Sequence, residues 1–309
     1  MVLLASIAFI GLILMPGPQT QAKQIELPRG TTLRGVTVKL DEQGLLRSAV
    51  LFHVYARLRG QASALKAGEF NIPAGANMQG VLKILTRGDE VLHAITLAEG
   101  LTSQNIVAHL RGLDLLQGEI AIPPEGSLLP ETYKVARGMS RAKLLEKMTR
   151  AQKSVIDELW AKRQLGLPIK SKQEAIILAS IVERETAVAK ERPLVAAVFL
   201  NRLKKNMRLQ SDPTIIYGLV GGQGKLGRPI RRSEIRRRTA YNTYRIKGLP
   251  PTPIANPGRA AIAAVLNPAD SPALYFVADG TGGHVFSETL AEHNRNVRRW
   301  RQIEKQNRR

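Results

Sequence analysis

The 309-residue sequence contains no cysteine, and only 5% of its residues are aromatic. The absence of cysteine excludes disulfide bonds and thiolate metal sites, although it does not by itself place the chain in a cellular compartment. The five histidines show neither the H-E-x-x-H pattern nor another paired spacing that would bind zinc. The sequence therefore predicts no metal site and no other cofactor.

Motifs for nucleotide binding and for serine hydrolysis are also missing. The chain has no Walker phosphate loop and no G-x-S-x-G elbow. Residues 221–225 are glycine-rich but lack the phosphate-loop spacing. Residues 279–284 follow a predicted strand, but they do not open a helix of a βαβ unit, which a dinucleotide site requires. Nucleotide chemistry is therefore not favoured.

Acidic residues are scarce, because 25 Asp and Glu stand against 46 Lys and Arg, giving a formal net charge of +21. Residues 171–309 hold 25 Lys and Arg against 11 Asp and Glu, a net charge of +14. The densest segment, residues 231–238, has five arginines and one glutamate. Such a surface suits nucleic acid, acidic lipid headgroups or an anionic cell-wall polymer, although a charge run is usually only a solvated face. No helix-turn-helix, zinc-finger or RNP signature accompanies it, so charge does not choose the partner.

The chain opens with fifteen uncharged residues, which are followed by Pro16-Gly17-Pro18. As a helix these residues would be about 22 Å long, shorter than the roughly 30 Å of a bilayer core. A signal peptide cleaved after Ala22 is one interpretation, but no basic residue precedes the apolar run. A buried core helix is another. We favour a single membrane anchor in residues 1–22, either an uncleaved signal or an anchor whose true start lies upstream.

Residues 23–98 are predicted to form a small α+β module. Short alternating or apolar segments there indicate strands, and segments with helical spacing lie between them. The predicted strands are residues 25–28, 66–73 and 91–97, and the predicted helices are 30–40, 48–59 and 77–85. Nothing in this module looks catalytic, because its histidines, His53 and His93, are isolated.

Residues 99–309 are predicted to be mainly helical, with long polar loops rich in glycine and proline. Buried helices that support such loops are typical of a cleft. The predicted helices are residues 100–112, 141–165, 171–185, 193–206, 259–266 and 290–300. With 44% apolar residues the chain can bury a real core, and its length allows two ordinary domains. The predicted fold class is α+β.

The segment 171–185 reads S-K-Q-E-A-I-I-L-A-S-I-V-E-R-E and organises the second half. Ser171 and Glu174 have the spacing of a helix capping box. Residues 175–182 are almost wholly apolar, so this helix should be buried. At about 100° per residue, Glu183 lies on the stripe of the core residues, whereas Glu185 points roughly the other way.

Glu183 is therefore the candidate general acid. Burial disfavours the ionised carboxylate and raises its pKa, which keeps a glutamic acid protonated near neutral pH. The simpler alternative is a structural ion pair with Arg184 or Arg192. Glu185 is the rival catalytic carboxyl.

The loops after this helix supply polar side chains suited to a sugar, whose hydroxyls and amides need hydrogen-bond partners. They are Gln210, Asp212, Tyr241 and Asn242, which sit among prolines and apolar residues. Acid and base chemistry on a carbohydrate is thus the chemistry that the sequence favours.

Several segments taken together resemble the endolytic murein transglycosylases of the MltG/YceG-like family, over most of residues 24–300. The segments are L-A-S-I-V-E-R-E-T at 178–186, residues 192–202, M-R-L-Q-S-D-P-T-I-I-Y-G at 207–218, Y-N-T-Y at 241–244, residues 248–258, residues 279–286 and L-A-E-H-N at 290–294, with K-A-G at 66–68 and E-T-Y at 131–133.

The resemblance implies a single-pass inner-membrane protein with a LysM-like module, here residues 23–98. A lysozyme-like catalytic domain, here residues 99–309, would follow in the periplasm. Such proteins cleave nascent peptidoglycan glycan strands internally, leave 1,6-anhydro ends and terminate strand elongation. They associate with the peptidoglycan synthases. An exported domain does not meet the chromosome, so nucleic acid is not expected as a partner. The basic cytoplasmic tail usual in the family is missing here.

The resemblance also implies residue roles. Glu183 corresponds to the single catalytic acid and base. Gln210 is similar to the glutamine of the G-L-M-Q motif of lysozyme-like transglycosylases. Tyr241 and Asn242 are similar to their A-Y-N motif, which Ala240 completes.

Asp212, Tyr217 and Asn256 are expected cleft residues. In the implied reaction one carboxyl protonates the glycosidic oxygen and then takes a proton from the muramyl C6 hydroxyl, which closes on C1. The alternatives are a non-enzymatic wall-binding protein and, on charge alone, a nucleic-acid binder.

Overall fold

The computed structural model describes residues 2–307, and the side chains of residues 7–306, and the fold is α+β. The helices are α1 (Val2–Leu14), α2 (Leu33–Glu42), α3 (Ala49–Leu58), α4 (Met78–Arg87), α5 (Ser103–Arg111), α6 (Arg141–Ala161), α7 (Lys172–Glu185), α8 (Arg192–Lys204), α9 (Asp212–Val220), α10 (Arg232–Arg236), α11 (Arg259–Leu266) and α12 (Leu290–Asn307). The strands are β1 (Lys23–Leu27), β2 (Gly68–Ile72), β3 (Leu92–Thr96), β4 (Leu116–Gln117), β5 (Thr132–Ala136), β6 (Met139–Ser140), β7 (Tyr275–Ala278) and β8 (His284–Ser287).

The chain forms two compact units. The first unit contains the described residues up to Ile95, together with residues 114–117 and 133–140. The second unit contains the other described residues, from Thr96 onwards. The predicted boundary between residues 98 and 99 lies close to the first crossing, but the two returns of the chain to the first unit have no signal in the sequence.

The first unit is built on an antiparallel pair of strands, β1 and β2, in which Ile25 lies opposite Phe70. Both side chains are fully buried, because alternate residues of a strand point to the same face. Helices α2, α3 and α4 each begin at a polar cap whose side chain accepts a backbone N–H, and the caps are Thr32, Ser48 and Asn77. These caps fix the helix starts, and the apolar side of each helix completes the core.

Helix α1 packs its C-terminal end on the core of the first unit. Ile13 is 3% exposed, and the side-chain amide of Asn77 donates to the carbonyl oxygen of Leu14 at 3.2 Å. Among the described residues, no helix has both the length and the apolar character needed to cross a bilayer.

The second unit is centred on α7, which packs against α8 and α11. Ser171 caps α7 by accepting the N–H of Glu174, as the sequence predicts, while the Glu174 carboxylate accepts the N–H of Lys170. Residues 177–182 of this helix are buried. Proline at the first turn of α8 starts that helix without losing a hydrogen bond. The buried apolar residues of α7 thus form the core against which the polar loops pack.

Several elements differ from the sequence prediction, three of them in the second unit. Residues 212–220, expected as loop, form α9, because Pro213 at the first turn favours a helix start. Helix α6 ends at Ala161 rather than at residue 165, and α12 continues to Asn307 rather than ending at residue 300.

Candidate active site

The C-terminal end of α7 faces a cavity of about 470 Å³ in the second unit. Its lining combines carboxyl groups, polar side chains and an apolar wall. The residues are Glu185, Arg202, Leu209, Gln210, Asp212, Tyr244, Tyr275, Phe276, Leu290, His293 and Asn294. The cavity has the size and mixed lining of a small-ligand site.

Glu185 carries one of the two carboxyl groups that line this cavity, and Asp212 carries the other. The hydroxyl of Ser211 donates to its Oε1 at 2.5 Å. Burial raises the pKa of Glu185 to about 7, the Ser211 hydrogen bond opposes this increase, and the negative charge of Asp212 adds to it. A substantial fraction of Glu185 is therefore protonated at neutral pH, as a general acid requires.

A buried network of hydroxyl groups holds Ser211 in place. The N–H of Ser211 donates to Thr243 Oγ1 at 2.9 Å, and Thr214 Oγ1 donates to the Ser211 carbonyl at 2.6 Å. Asp212, the next residue, accepts the phenolic proton of Tyr244 at 2.8 Å. Thr243 and Tyr244 belong to the Y-N-T-Y segment, so this segment supports the loop that contacts the carboxyl group.

The side-chain amide of Gln210 is fixed at its oxygen. Its backbone has a left-handed φ of 55°, and its Oε1 accepts from Arg202 Nη1 at 3.3 Å. Because a guanidinium can only donate, the oxygen must face Arg202, and the amide nitrogen is left to donate to a ligand. Arg202 is 6% exposed and also donates to the carbonyls of Leu209 and Leu274, at 2.7 and 2.6 Å.

Part of the cavity lining is aromatic and apolar. Tyr275 lies under the guanidinium of Arg202 and stacks on His293, with ring centroids 5.1 Å apart. Burial and the charge of Arg202 lower the pKa of His293, so its imidazole is neutral at neutral pH. Such a wall can pack against the apolar face of a sugar ring.

Glu183, the predicted general acid, has a different environment. Its side chain is 3% exposed, as expected for the core face of α7, and its Oε1 accepts from Arg192 Nη2 at 3.0 Å. Its Oε2 accepts the N–H of Gly258 at 2.9 Å. Burial raises the pKa of Glu183, while the Gly258 hydrogen bond and Arg192 oppose the increase. This is the ion pair with Arg192 that the sequence left open as the simpler alternative.

The structure thus brings Glu185, not Glu183, together with Gln210 and Asp212. As the helix phase predicts, Glu185 points away from Glu183, and the two carboxyl groups have different partners. Helix α7 ends at Glu185, and the next residue, Thr186, is extended. The loop that contains Ser211 then covers the end of the helix and encloses the Glu185 carboxyl group.

Tyr217 and Tyr241 form a separate cluster, with ring centroids 5.0 Å apart. The hydroxyl of Tyr217 donates to Glu125 Oε2 at 3.3 Å, and that of Tyr241 is 2.7 Å from Thr252 Oγ1. Burial raises the pKa of Glu125. Neither tyrosine lines the Glu185 cavity.

Asn256 and Asn242 lie inside the protein. Asn256 is fully buried, and its amide nitrogen has three acceptors, which are Leu101 O, Ser103 Oγ and Glu125 Oε1. The amide nitrogen of Asn242 likewise donates to three carbonyls of residues 234–237. Since these nitrogens are fully used within the protein, the two asparagines fix loops and have no donor left for a sugar.

Several cavity residues are absent from the sequence-based site. Leu290, His293 and Asn294 belong to the L-A-E-H-N segment and have the i, i+3, i+4 spacing of one helix face. That spacing is a signal from which they could have been found. Arg202 and Tyr275 have no such signal. Within residues 2–307, no three His, Asp or Glu side chains are grouped as a metal site would require.

Comparisons with known proteins identify the family to which the chain belongs. The pattern of the family described as "YceG-like family" matches residues 25–299. Over 326 aligned residues the chain is 30% identical to the endolytic murein transglycosylase of Streptococcus pneumoniae, with 88% of this chain and 57% of the relative covered. It is 28% identical to the endolytic murein transglycosylase of Bacillus subtilis strain 168, with 88% and 82% covered.

The fold is similar to the crystal structure of a YceG-like protein from Listeria monocytogenes, with a TM-score of 0.54 and 29% identity. That similarity covers 89% of this chain and 98% of the solved chain. The chain spans less than two thirds of the length of the pneumococcal relatives that it matches.

Proposed function

Because this chain belongs to the YceG-like family, whose pattern matches residues 25–299, we propose that it is an endolytic lytic transglycosylase. Its substrate would be the peptidoglycan glycan strand, cut internally between N-acetylmuramic acid and N-acetylglucosamine. The observation that carries the proposal is the Glu185 carboxyl group, with its pKa raised to about 7, in a cavity that also holds Gln210 and Asp212.

Glu185 acts first as the acid. Ser211 donates to Oε1, so the proton of the neutral acid lies on Oε2 and is given to the glycosidic oxygen as the C1–O bond breaks. The same carboxylate then removes the proton of the muramyl C6 hydroxyl, whose oxygen bonds to C1. Glu185 thus regains the proton that it gave away, no water is consumed, and the product has a 1,6-anhydro end.

One carboxyl group is sufficient for this sequence of steps, whereas a hydrolysing glycosidase usually needs two. Asp212 is the second carboxylate near Glu185, but it accepts the Tyr244 hydroxyl at 2.8 Å. Its role is electrostatic, because its negative charge raises the pKa of Glu185. Gln210 would donate from its amide nitrogen to a carbonyl or hydroxyl of the sugar.

Glu183 remains the competing assignment. Both of its oxygens are occupied within the protein, by Arg192 and by the N–H of Gly258. Protonation of the glycosidic oxygen would require it to release one of these partners. We assign Glu183 a structural role, in which it joins α7 to α8 and to the loop before α11.

Two matched variants, Glu185→Gln and Glu183→Gln, test the assignment. Each replaces one carboxyl by an amide of the same size. Purified sacculi are treated with each protein, and 1,6-anhydro ends are counted by chromatography and mass spectrometry. Loss of general acid catalysis lowers rates by about 10²- to 10⁴-fold, and this loss is expected for Glu185→Gln. An active Glu185→Gln variant beside an inactive Glu183→Gln variant would return the role to Glu183. Binding to sacculi without new anhydro ends in the unmodified protein would indicate a non-enzymatic wall-binding protein.

The wider cellular setting is also proposed. The first unit would be the LysM-like module that holds glycan, and α1 would attach the protein to the inner membrane with the second unit in the periplasm. The support for attachment is the apolar surface of α1, where Ile7, Ile10 and Leu12 are exposed. Peptidoglycan synthases would be the partners. Fractionation of cells that produce the full chain, with and without residues 2–15, tests the attachment, and release of the shortened protein is the expected result.

A further inference from the structure

Five arginines form an exposed group on α10 and at its ends, named here the arginine patch. Its members are Arg231, Arg232, Arg236, Arg237 and Arg238. Glu234 is the acidic residue of this segment, but its carboxylate accepts from the Arg228 side chain and from the backbone N–H of Arg231. Among the side chains that the structure describes, those of residues 7–306, no acidic group lies within ion-pair distance of a guanidinium of the patch. Glu234 offsets part of the charge of Arg231, but most of the positive charge of the patch is left unneutralised.

Hydrogen bonds from a buried side chain hold the backbone that carries the patch. Asn242 is 1% exposed, and its amide nitrogen donates to the carbonyls of Glu234, Ile235 and Arg237, at 3.1, 3.0 and 2.6 Å. Like charges four residues apart on a helix, such as Arg232 and Arg236, repel each other. The fold therefore stabilises an arrangement of charge that is unfavourable without an anionic partner.

The patch is attached to the loop that supports the Glu185 cavity. Asn242 clamps the patch, while its neighbour Thr243 accepts the N–H of Ser211. The next residue, Tyr244, donates to Asp212 and lines the cavity. A polymer whose backbone lies in the cavity would extend beyond it on both sides, and the patch is fixed to one of its walls.

We propose that the arginine patch binds the carboxylates of the peptide stems on the glycan strand that is being cut. This inference rests on the proposed function, and it adds that the stems are recognised as well as the sugar backbone. The planar guanidinium suits this partner, because it binds a carboxylate through two parallel hydrogen bonds. A membrane surface would also attract the patch, but it would not require a hydrogen-bonded connection to the cavity loop.

A charge-matched pair of variants tests the proposal in the full chain. The patch variant combines Arg231→Gln, Arg232→Gln and Arg236→Gln. The control variant combines Arg298→Gln, Arg299→Gln and Arg301→Gln, which are exposed residues of α12. Both lose three positive charges. Binding is measured by cosedimentation with glycan strands that carry peptide stems and with strands whose stems an amidase has removed. Vesicles of phosphatidylglycerol and phosphatidylcholine form a third arm.

The patch variant is expected to bind stem-bearing strands about fivefold to tenfold more weakly, since exposed ion pairs each contribute modestly, and to bind stem-free strands unchanged. The control variant should match the unmodified protein on both. Equal weakening on both strands, no weakening, or weakening confined to the vesicles would overturn the proposal, and the last result would indicate a lipid surface. Cosedimentation does not depend on turnover, and repeating it in the Glu185→Gln background separates failure of the patch from failure of the catalytic assignment.

Discussion

Glu183 and Glu185 are two residues apart at the end of α7, yet their carboxyl groups have opposite kinds of partner. Glu183 is bonded to the cation Arg192 and to the N–H of Gly258. Glu185 is bonded to a neutral hydroxyl, Ser211, and has the negative charge of Asp212 nearby. Burial raises the pKa of both carboxyl groups, but Gly258 and Arg192 oppose the increase at Glu183, whereas the charge of Asp212 adds to it at Glu185. This difference leads to predictions that distinguish the two.

Activity should decrease above about pH 7, because Glu185 must be protonated to act as the acid and its pKa is about 7. The variant Asp212→Asn removes a negative charge that raises this pKa. The alkaline limb of the kcat/KM profile should then move to lower pH, since the free-enzyme pKa determines that limb. Tyr244→Phe is the control, because it removes the partner of Asp212 without removing the charge. An unmoved limb in Asp212→Asn would contradict the electrostatic role of Asp212.

The free energy of unfolding should also depend on pH through the raised pKa of Glu185. The pKa of Glu185 rises from an ordinary value of 4.5 to about 7 on folding. Its contribution to stability is therefore complete below the unfolded pKa and is lost as the pH rises through the folded pKa. Above pH 7 the variant Glu185→Gln should be more stable than the unmodified protein by about 2 to 3 kcal/mol, and below pH 4 the two should be alike.

Denaturant unfolding at pH 4 and at pH 8 measures this difference. Glu183→Gln is expected to be less stable than the unmodified protein at pH 8, because Arg192 loses its buried partner and keeps only the more exposed carboxylate of Glu99. A stabilising effect of Glu183→Gln at pH 8 would contradict its structural role.

Gln210→Glu should bind substrate poorly while folding normally. The new carboxylate still accepts from Arg202, so the loop keeps its contact. It has no N–H to offer, and kcat/KM should decrease about tenfold to a hundredfold, the effect of losing one hydrogen bond to substrate. Gln210→Ala, which loses both contacts, provides the comparison. Unchanged kcat/KM in Gln210→Glu would show that the amide nitrogen is not used.

Asn256→Ala should reduce stability rather than act on catalysis alone. The buried amide of Asn256 satisfies Leu101 O, Ser103 Oγ, Glu125 Oε1 and the N–H of Leu128. Leaving one such group unpaired costs up to about 3 kcal/mol, but the effects of neighbouring groups do not add in full. The free energy of unfolding is therefore expected to decrease by about 2 to 4 kcal/mol. Thermal unfolding measures this loss. A variant with full stability and a reduced reaction rate would instead place Asn256 in contact with the substrate.

Much of the local structure could be predicted from the chain. The spacing of Ser171 and Glu174 and the apolar run after them were sufficient to locate α7, because capping and hydrophobic periodicity depend on near neighbours. The same periodicity correctly predicted that Glu183 is buried. It could not decide between Arg184 and Arg192 as the partner of that carboxyl group. It correctly separated Glu185 from Glu183 by helix phase, but it could not show which of the two carboxyl groups lines a cavity, because that depends on loops distant in the chain.

The sequence by itself determined the α+β class, the family and the segments that carry polar side chains. The tertiary structure alone decided which of those side chains share a cavity. Gln210 and Asp212 line the same cavity as Glu185, while the side chains of Asn242 and Asn256 form their hydrogen bonds inside the protein. The physical reason is that a hydrogen bond or a desolvated charge depends on distances of a few ångströms between residues far apart in the chain, which short-range sequence patterns do not record.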